Sequence, residues 1–230
     1  MGDSKQTNIE EDILHAQNVI SGLKQFATET RRRNAISAVK KVVDNPNKRF
    51  KGGYVGQAPE YFTEKYLIEP VLKLLRLDPW PRPVDLVKDE RNRPDYRIDG
   101  VCEDFMAIAE SKALNGERNS KRATKDINNY LHDQTFLKTL QREQIRYSIG
   151  IATDGLEWRL IARDVEEDVL TEIDSCSIAE PVSMVLEKAH SEVDPDEEWI
   201  PEARRRMANS LILVFSKENI VDVVRAEFNT

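Results

Sequence analysis

A chain of 230 residues is long enough for one sizeable core with a smaller appendage, and 40% apolar with 33% charged residues describes a globular protein. No run approaches the roughly 18 apolar residues of a membrane span, and the polar, acidic start from Gly2 to Glu11 is unlike a secretory signal, so a cytoplasmic protein with no membrane partner is expected. The formal net charge of −7 excludes blanket attraction to nucleic acid but leaves local phosphate contacts open at Arg31-Arg32-Arg33, Lys48-Arg49 with Lys51, Arg118 to Lys125 and Arg204-Arg205-Arg206.

Ile9, Ile13, Ala16, Ile20, Leu23 and Ala27 alternate spacings of four and three, which lines one stripe of a long amphipathic helix. That stripe packs either on its own chain or on a second copy. A second helix through Ile36, Val39 and Val43 stops at Asn45-Pro46-Asn47, closing an amino-terminal helical appendage over residues 1–46. The glycine-rich stretch 47–58, with Lys48, Arg49 and Lys51, is a loop that either tracks a phosphate backbone or is a solvated linker. A helix follows from Pro59 to Arg76, with Phe62, Tyr66, Leu67, Val71, Leu74 and Leu75 on its apolar side, and Pro79 ends it.

Arg82 to Val87 reads as an opening strand. Pro94-Asp95-Tyr96-Arg97-Ile98 and Ala109-Glu110-Ser111-Lys112 read as two strands of a hairpin turned at Asp99-Gly100, where glycine supplies a positive φ. Strand alternation puts Glu110 and Lys112 on one face and Ser111 on the other, and antiparallel register brings Asp95 opposite. Two carboxylates and an ammonium thus converge behind the buried run Met106-Ala107-Ile108-Ala109. A hard divalent cation is the economical reason for such a cluster: Mg²⁺, with Mn²⁺ as a substitute, held by Asp95 and Glu110. The metal polarises a phosphodiester and lowers the pKa of bound water, while Lys112 offsets charge in the transition state.

Arg118, Lys121, Arg122 and Lys125 lie just past this strand, where DNA would pass, and read either as phosphate contacts or as a solvated helix start. They open a long helical stretch from Ser120 to Gln141 carrying Ile127, Tyr130, Leu131, Leu137 and Leu140. Tyr147 to Ala152 and Glu157 to Ala162 form a hairpin around Asp154-Gly155, with Trp158 assigned to the core. Val169 to Ile173 adds a strand and Pro181 to His190 a helix. An acidic linker at Ser191 to Glu198 leads to a helical extension from Pro201 to Phe228. Cys102 and Cys176 read as packing residues, since neither a disulfide framework nor a zinc spacing is present.

Pro94-Asp95 followed by Glu110-Ser111-Lys112 resembles the PD-(D/E)xK nuclease superfamily. More narrowly, Leu67-Ile68-Glu69-Pro70-Val71-Leu72 and Ala152-Thr153-Asp154-Gly155 with Trp158 resemble the amino-terminal nuclease domain of type I restriction enzyme R subunits and its stand-alone relatives. The resemblance covers roughly residues 56 to 165. It implies an α/β, restriction-endonuclease-like mixed β-sheet flanked by helices, as a nuclease-like core over 47–190 with helical additions at both ends, 1–46 and 191–230. It further implies Mg²⁺-dependent DNA cleavage in restriction or defence, and further restriction-system subunits as partners. The family's helix acid, a further catalytic and metal-binding group, matches Glu60, with Glu64 one turn later as the fallback. Asp126 stands where the family's Gln-x-x-x-Tyr motif has its glutamine, although Tyr130 is retained. No Walker-type phosphate loop is present, so the DNA-translocating motor of such enzymes is absent from this sequence. Two other classes stay open: an inactive nuclease-fold DNA-binding module, and a non-enzymatic interaction protein using the amino-terminal amphipathic helix.

Overall fold

The computed structural model describes residues 3–83, 93–115, 117–191 and 205–229. The amino-terminal periodicity forms one helix, α1 (Asp3–Arg32), whose stripe of Ala16, Val19, Ile20, Leu23, Phe26 and Ala27 is buried. Asn34 ends it in the left-handed region, with Ala35 N donating to Thr30 O and Asn34 N to Arg31 O, the paired closure of a Schellman turn. Helix α2 (Ile36–Val43) then turns back with Ile36, Val39, Val42 and Val43 inward.

The next helical run starts where expected, with Pro59 in its first turn, but it is not uniform. It passes from α3 (Pro59–Thr63) through a π turn (Glu64–Ile68) into α4 (Glu69–Leu74). Pro70 gives the physical reason, because proline donates no hydrogen bond and crowds the carbonyl four residues back, and a widened turn relieves both. Contrary to the expectation, Pro79 does not end this run. Arg76 does, at a φ of 61°, with Leu77 N donating to Leu72 O. Pro79 instead lies in the edge strand β1 (Asp78–Pro81), where a missing N–H is tolerated. The strand expected at Arg82 to Val87 falls mostly outside the described residues, and Arg82 itself follows β1.

The six strands lie in sequence order: β1, β2 (Tyr96–Asp99), β3 (Phe105–Ser111), β4 (Tyr147–Thr153), β5 (Glu157–Asp164) and β6 (Val169–Ser177). All neighbours are antiparallel except β3 and β4, so the sheet is mixed and the β3-to-β4 connection must cross over. That crossover holds α5 (Glu117–His132) and α6 (Gln134–Arg142). The single helix expected there is broken because Asp133 caps α6, accepting from Thr135 N and Phe136 N. Gly150 lets α5 approach β4, since a Cβ there would stand 2.2 Å from Ile127 Cγ2.

Each face of the sheet has its own apolar layer. Met106, Ile108, Ala152 and Ile161 pack with Ala123, Ile127, Leu131, Phe136 and Leu140 on the α5 side. Ala107, Ala109, Ile149, Ile151, Trp158 and Leu160 join the larger layer, which takes in α1, α2, the 59–74 run, α7 (Ala179–Ser191) and the carboxy-terminal helices. The latter run through a π turn (Ala208–Ile212) to Phe215, break at the extended Ser216, and resume as α8 (Lys217–Phe228). Trp158 is fully buried with its ring edge-on to Phe215, the core position expected of it. The acidic linker and the expected helix start at Pro201 lie outside the described residues, apart from Ser191 at the end of α7.

Candidate active site

The site forms where β3 leaves the sheet. Tyr96 pairs with Ala109 and Ile98 with Ala107, so the residue before β2, Asp95, stands beside the end of β3. The connection between these strands is longer than a two-residue turn, running from Gly100, at a φ of 70°, to Asp104. Alternation along β3 holds as expected: Met106 and Ile108 face α5, and Glu110 and Lys112 follow on that side.

Glu110 is buried, with one oxygen on the Lys112 ammonium and the other, Oε2, shielded from water without a hydrogen bond of ordinary geometry, although the Tyr130 hydroxyl stands close enough to the carboxyl to interact with it. Burial first, and the Asp95 charge second, push its pKa up to about 7, against the opposing pull of Lys112. Lys112 Nζ also stands 3.0 Å from Asp126 Oδ2. Burial works to lower the ammonium's pKa, yet Glu110 and Asp126 together hold it above its ordinary value. Asp126 therefore reaches the site and shares the lysine. One turn along α5, Tyr130 donates its hydroxyl to Arg93 O at 2.8 Å, fastening the segment that enters β2.

Ser111, on the opposite face, has a role its strand position did not announce. Its backbone N–H donates to Asp95 Oδ2 at 2.8 Å, and its hydroxyl lies 2.7 Å from that oxygen and 2.9 Å from Glu64 Oε1. One hydroxyl proton serves one acceptor at a time, so Asp95 and Glu64 share it. Burial raises the Glu64 carboxyl, the Ser111 hydrogen bond opposes this, and the Asp95 and Glu60 charges add to the rise. The π turn thus brings Glu64, not Glu60, to Ser111 and Asp95. Glu60 is exposed and lines an adjacent cleft.

That cleft, of about 570 Å³, runs from Lys112 and Glu60 past Asn115 to Arg118 and Arg122 on α5 and Arg49 on the loop after α2. Lys121 and Lys125 lie on α5 but do not line it. The segment after β3 is pinned on several sides: Lys112 N donates to Thr153 O at 2.9 Å, Leu114 N to Thr63 Oγ1 at 3.0 Å, and Asn119 Nδ2 to Ala113 O at 2.5 Å. Of the other basic clusters, Arg33 is engaged with Glu29 and lies over the Phe62 and Tyr66 rings, and Arg206 is paired with Glu180. Arg204 lies outside the described residues.

The donor set suits a hard divalent cation. An oxygen of Glu110 lies buried and unpartnered, Asp95 is near enough to raise that carboxyl, and both offer oxygen ligands. Among the described residues no three His, Cys, Asp or Glu side chains form a ready-made metal cage. Mg²⁺ needs none, because it is commonly held by one or two carboxylates and keeps several waters. No family model, no curated protein and no solved structure matches the chain.

Proposed function

We propose that this protein is a Mg²⁺-dependent nuclease that hydrolyses DNA phosphodiester bonds, with Asp95, Glu110 and Lys112 as its reactive centre. The observation that carries the reading is the Glu110 carboxyl, buried beside Asp95 and Lys112 with one oxygen unpartnered. Leaving such an oxygen dry costs roughly 1–3 kcal/mol, which a bound cation would offset. Asp95 and Glu110 would hold the ion, with Glu64 close by. When bound, it supplies Lewis-acid polarisation of the phosphodiester.

The remaining work falls to the chain itself. Ser111 fixes the Asp95 carboxylate through its N–H and hydroxyl. Lys112 places a positive charge where negative charge grows on the phosphoryl oxygens. Arg118 and Arg122 on α5, with Arg49 opposite, offer guanidiniums to the flanking phosphates. A setting in restriction or defence follows from the family resemblance.

Supercoiled plasmid incubated with the protein and Mg²⁺ should be nicked or linearised, and an EDTA control should stay intact. Asp95→Asn, Glu110→Gln and Glu64→Gln should each lose roughly a hundredfold or more in rate, and Glu60→Gln much less. Full activity in Glu110→Gln would refute the assignment.

One observation favours a second reading, a nuclease-fold module that binds DNA without cutting it. Asp126 engages the ammonium that the chemistry needs free. A wild-type protein that binds DNA yet leaves plasmid intact, and that gains nicking on Asp126→Gln, would carry this second reading over the first.

A further inference from the structure

We propose that the cleft beside the reactive centre receives a single nucleic-acid strand in preference to a duplex, an inference about substrate class that rests on the nuclease reading. The first observation is the pairing of the arginines. Arg33, Arg76, Arg159, Arg163, Arg206 and Arg225 each hold a carboxylate. Among the described residues, Arg49, Arg118, Arg122 and Arg82 make no side-chain hydrogen bond, ion pair or ring contact; the first three line this one cleft, and Arg82 lies outside it, its charge acting on the Glu64 carboxyl. Arginines left unpaired in a chain of net charge −7, where acidic partners are plentiful, point to an anionic ligand between them.

The second observation is size. A cleft of about 570 Å³ falls within the range of small-ligand sites, roughly 300–1,000 Å³. It has room for a nucleotide or two of one strand. A duplex presents two backbones bordering grooves about 12 and 6 Å wide, and cations that read it are spread over a face. Here they are gathered in a pocket.

The third observation is aromatic surface. Tyr54 is 37% exposed, with its ring 6.2 Å from that of Phe50 in the cleft wall. Tyr61, 48% exposed, follows Glu60 on α3 without lining the cleft, and the Lys65 ammonium lies over its ring. A cationic groove for one backbone with aromatic rings beside it is the pairing that binds unpaired bases, because every base has a face to stack while a duplex hides its faces.

The test is fluorescence anisotropy in EDTA, where nothing is cut, with a labelled DNA strand of about twelve nucleotides, its RNA counterpart and the blunt DNA duplex. A single strand of DNA or RNA should bind at least about tenfold more tightly than the duplex. Arg118→Ala with Arg122→Ala should weaken single-strand binding about tenfold and flatten its salt dependence. Lys41→Ala with Lys138→Ala, an equal charge loss outside the cleft, should leave it unchanged. Circular dichroism checks that each variant is folded. Equal or tighter binding of the duplex overturns the proposal, as does undiminished strand binding by the arginine variant. Failure of the nuclease reading appears separately, as single-strand binding without cleavage when Mg²⁺ is added.

Discussion

Glu110 couples the chemistry of the site to the stability of the chain. Its carboxyl has a folded pKa of about 7 against an ordinary 4.5, raised by burial and by Asp95. An acid raised in the folded state contributes stability that is fully present below about pH 4.5 and is lost as pH climbs through about 7. In EDTA at pH 8, Glu110→Gln should therefore unfold later than the wild type, by about 1–3 kcal/mol or several degrees in Tm, and the two should converge near pH 4. Mg²⁺ should raise the wild-type Tm at pH 8 and leave the variant's unchanged. Thermal melts at both pH values with and without Mg²⁺ check this, and a variant less stable than wild type at pH 8 would contradict it. Asp154, wholly buried in the β4–β5 turn and also pushed to about 7, leaves some pH dependence in both proteins. Asp95 behaves differently, because its oxygen holds Ser111 N and Oγ and its removal would cost packing as well as chemistry. Strand alternation made Glu110 and Lys112 legible in the sequence. It could not foretell that Ser111 would orient Asp95, since a hydroxyl's partners come from other elements, nor which of Glu60 and Glu64 would reach the site, since that depends on the π turn.

At the scale of elements, the β4–β5 turn and the helical run at 59–74 hold each other in place. Asp154 Oδ1 accepts from Leu156 N and Glu157 N, and Gly155 sits at a φ of 88°. A Cβ on Gly155 would stand 2.6 Å from Leu67 Cδ2 and 3.2 Å from Thr63 Cγ2, so the turn needs glycine for its backbone and for its neighbour. Gly155→Ala should cost about 2 kcal/mol or more, read as a lower denaturant midpoint. On the proposed nuclease reading it should also slow cleavage, because Leu67 lies in the same π turn as Glu64 and Thr63 holds Leu114 N behind Lys112. A midpoint equal to wild type would show that the turn relaxes freely. The Asp-Gly pair announced this hairpin, and the apolar runs on either side gave both strands. Two breaks were less readable. The interruption between α5 and α6 rests on one capping aspartate inside a continuous apolar pattern, and the end of α4 rests on a left-handed arginine, a conformation that glycine signals and arginine does not.

At the scale of the whole molecule, the question is what the amino-terminal helix covers. Its apolar stripe implied a partner surface, either this chain or a second copy. Ala16, Ile20, Leu23 and Ala27 are each at most 2% exposed, buried in the layer that also holds Trp158, Leu186 and Phe215. The stripe is thus satisfied within one chain from Ala16 onward and does not require a second. Periodicity revealed that stripe but not its partner, because the packing surface comes from α4, α7 and the π turn at Ala208–Ile212, remote in sequence. Ile20→Glu should then behave as a core substitution, not an interface substitution. An unpaired carboxylate at a position 2% exposed costs several kcal/mol, on the order of 3–5, a large part of the stability of an ordinary domain. The variant should melt at least about 10 °C lower or fail to fold, with loss of the near-ultraviolet signal from Trp158, while light scattering of the wild type reports its oligomeric state independently. Should Ile20→Glu remain folded with an unchanged Tm while a wild-type dimer falls to single chains, the stripe is an interface, and the helix belongs to an assembly in place of the core.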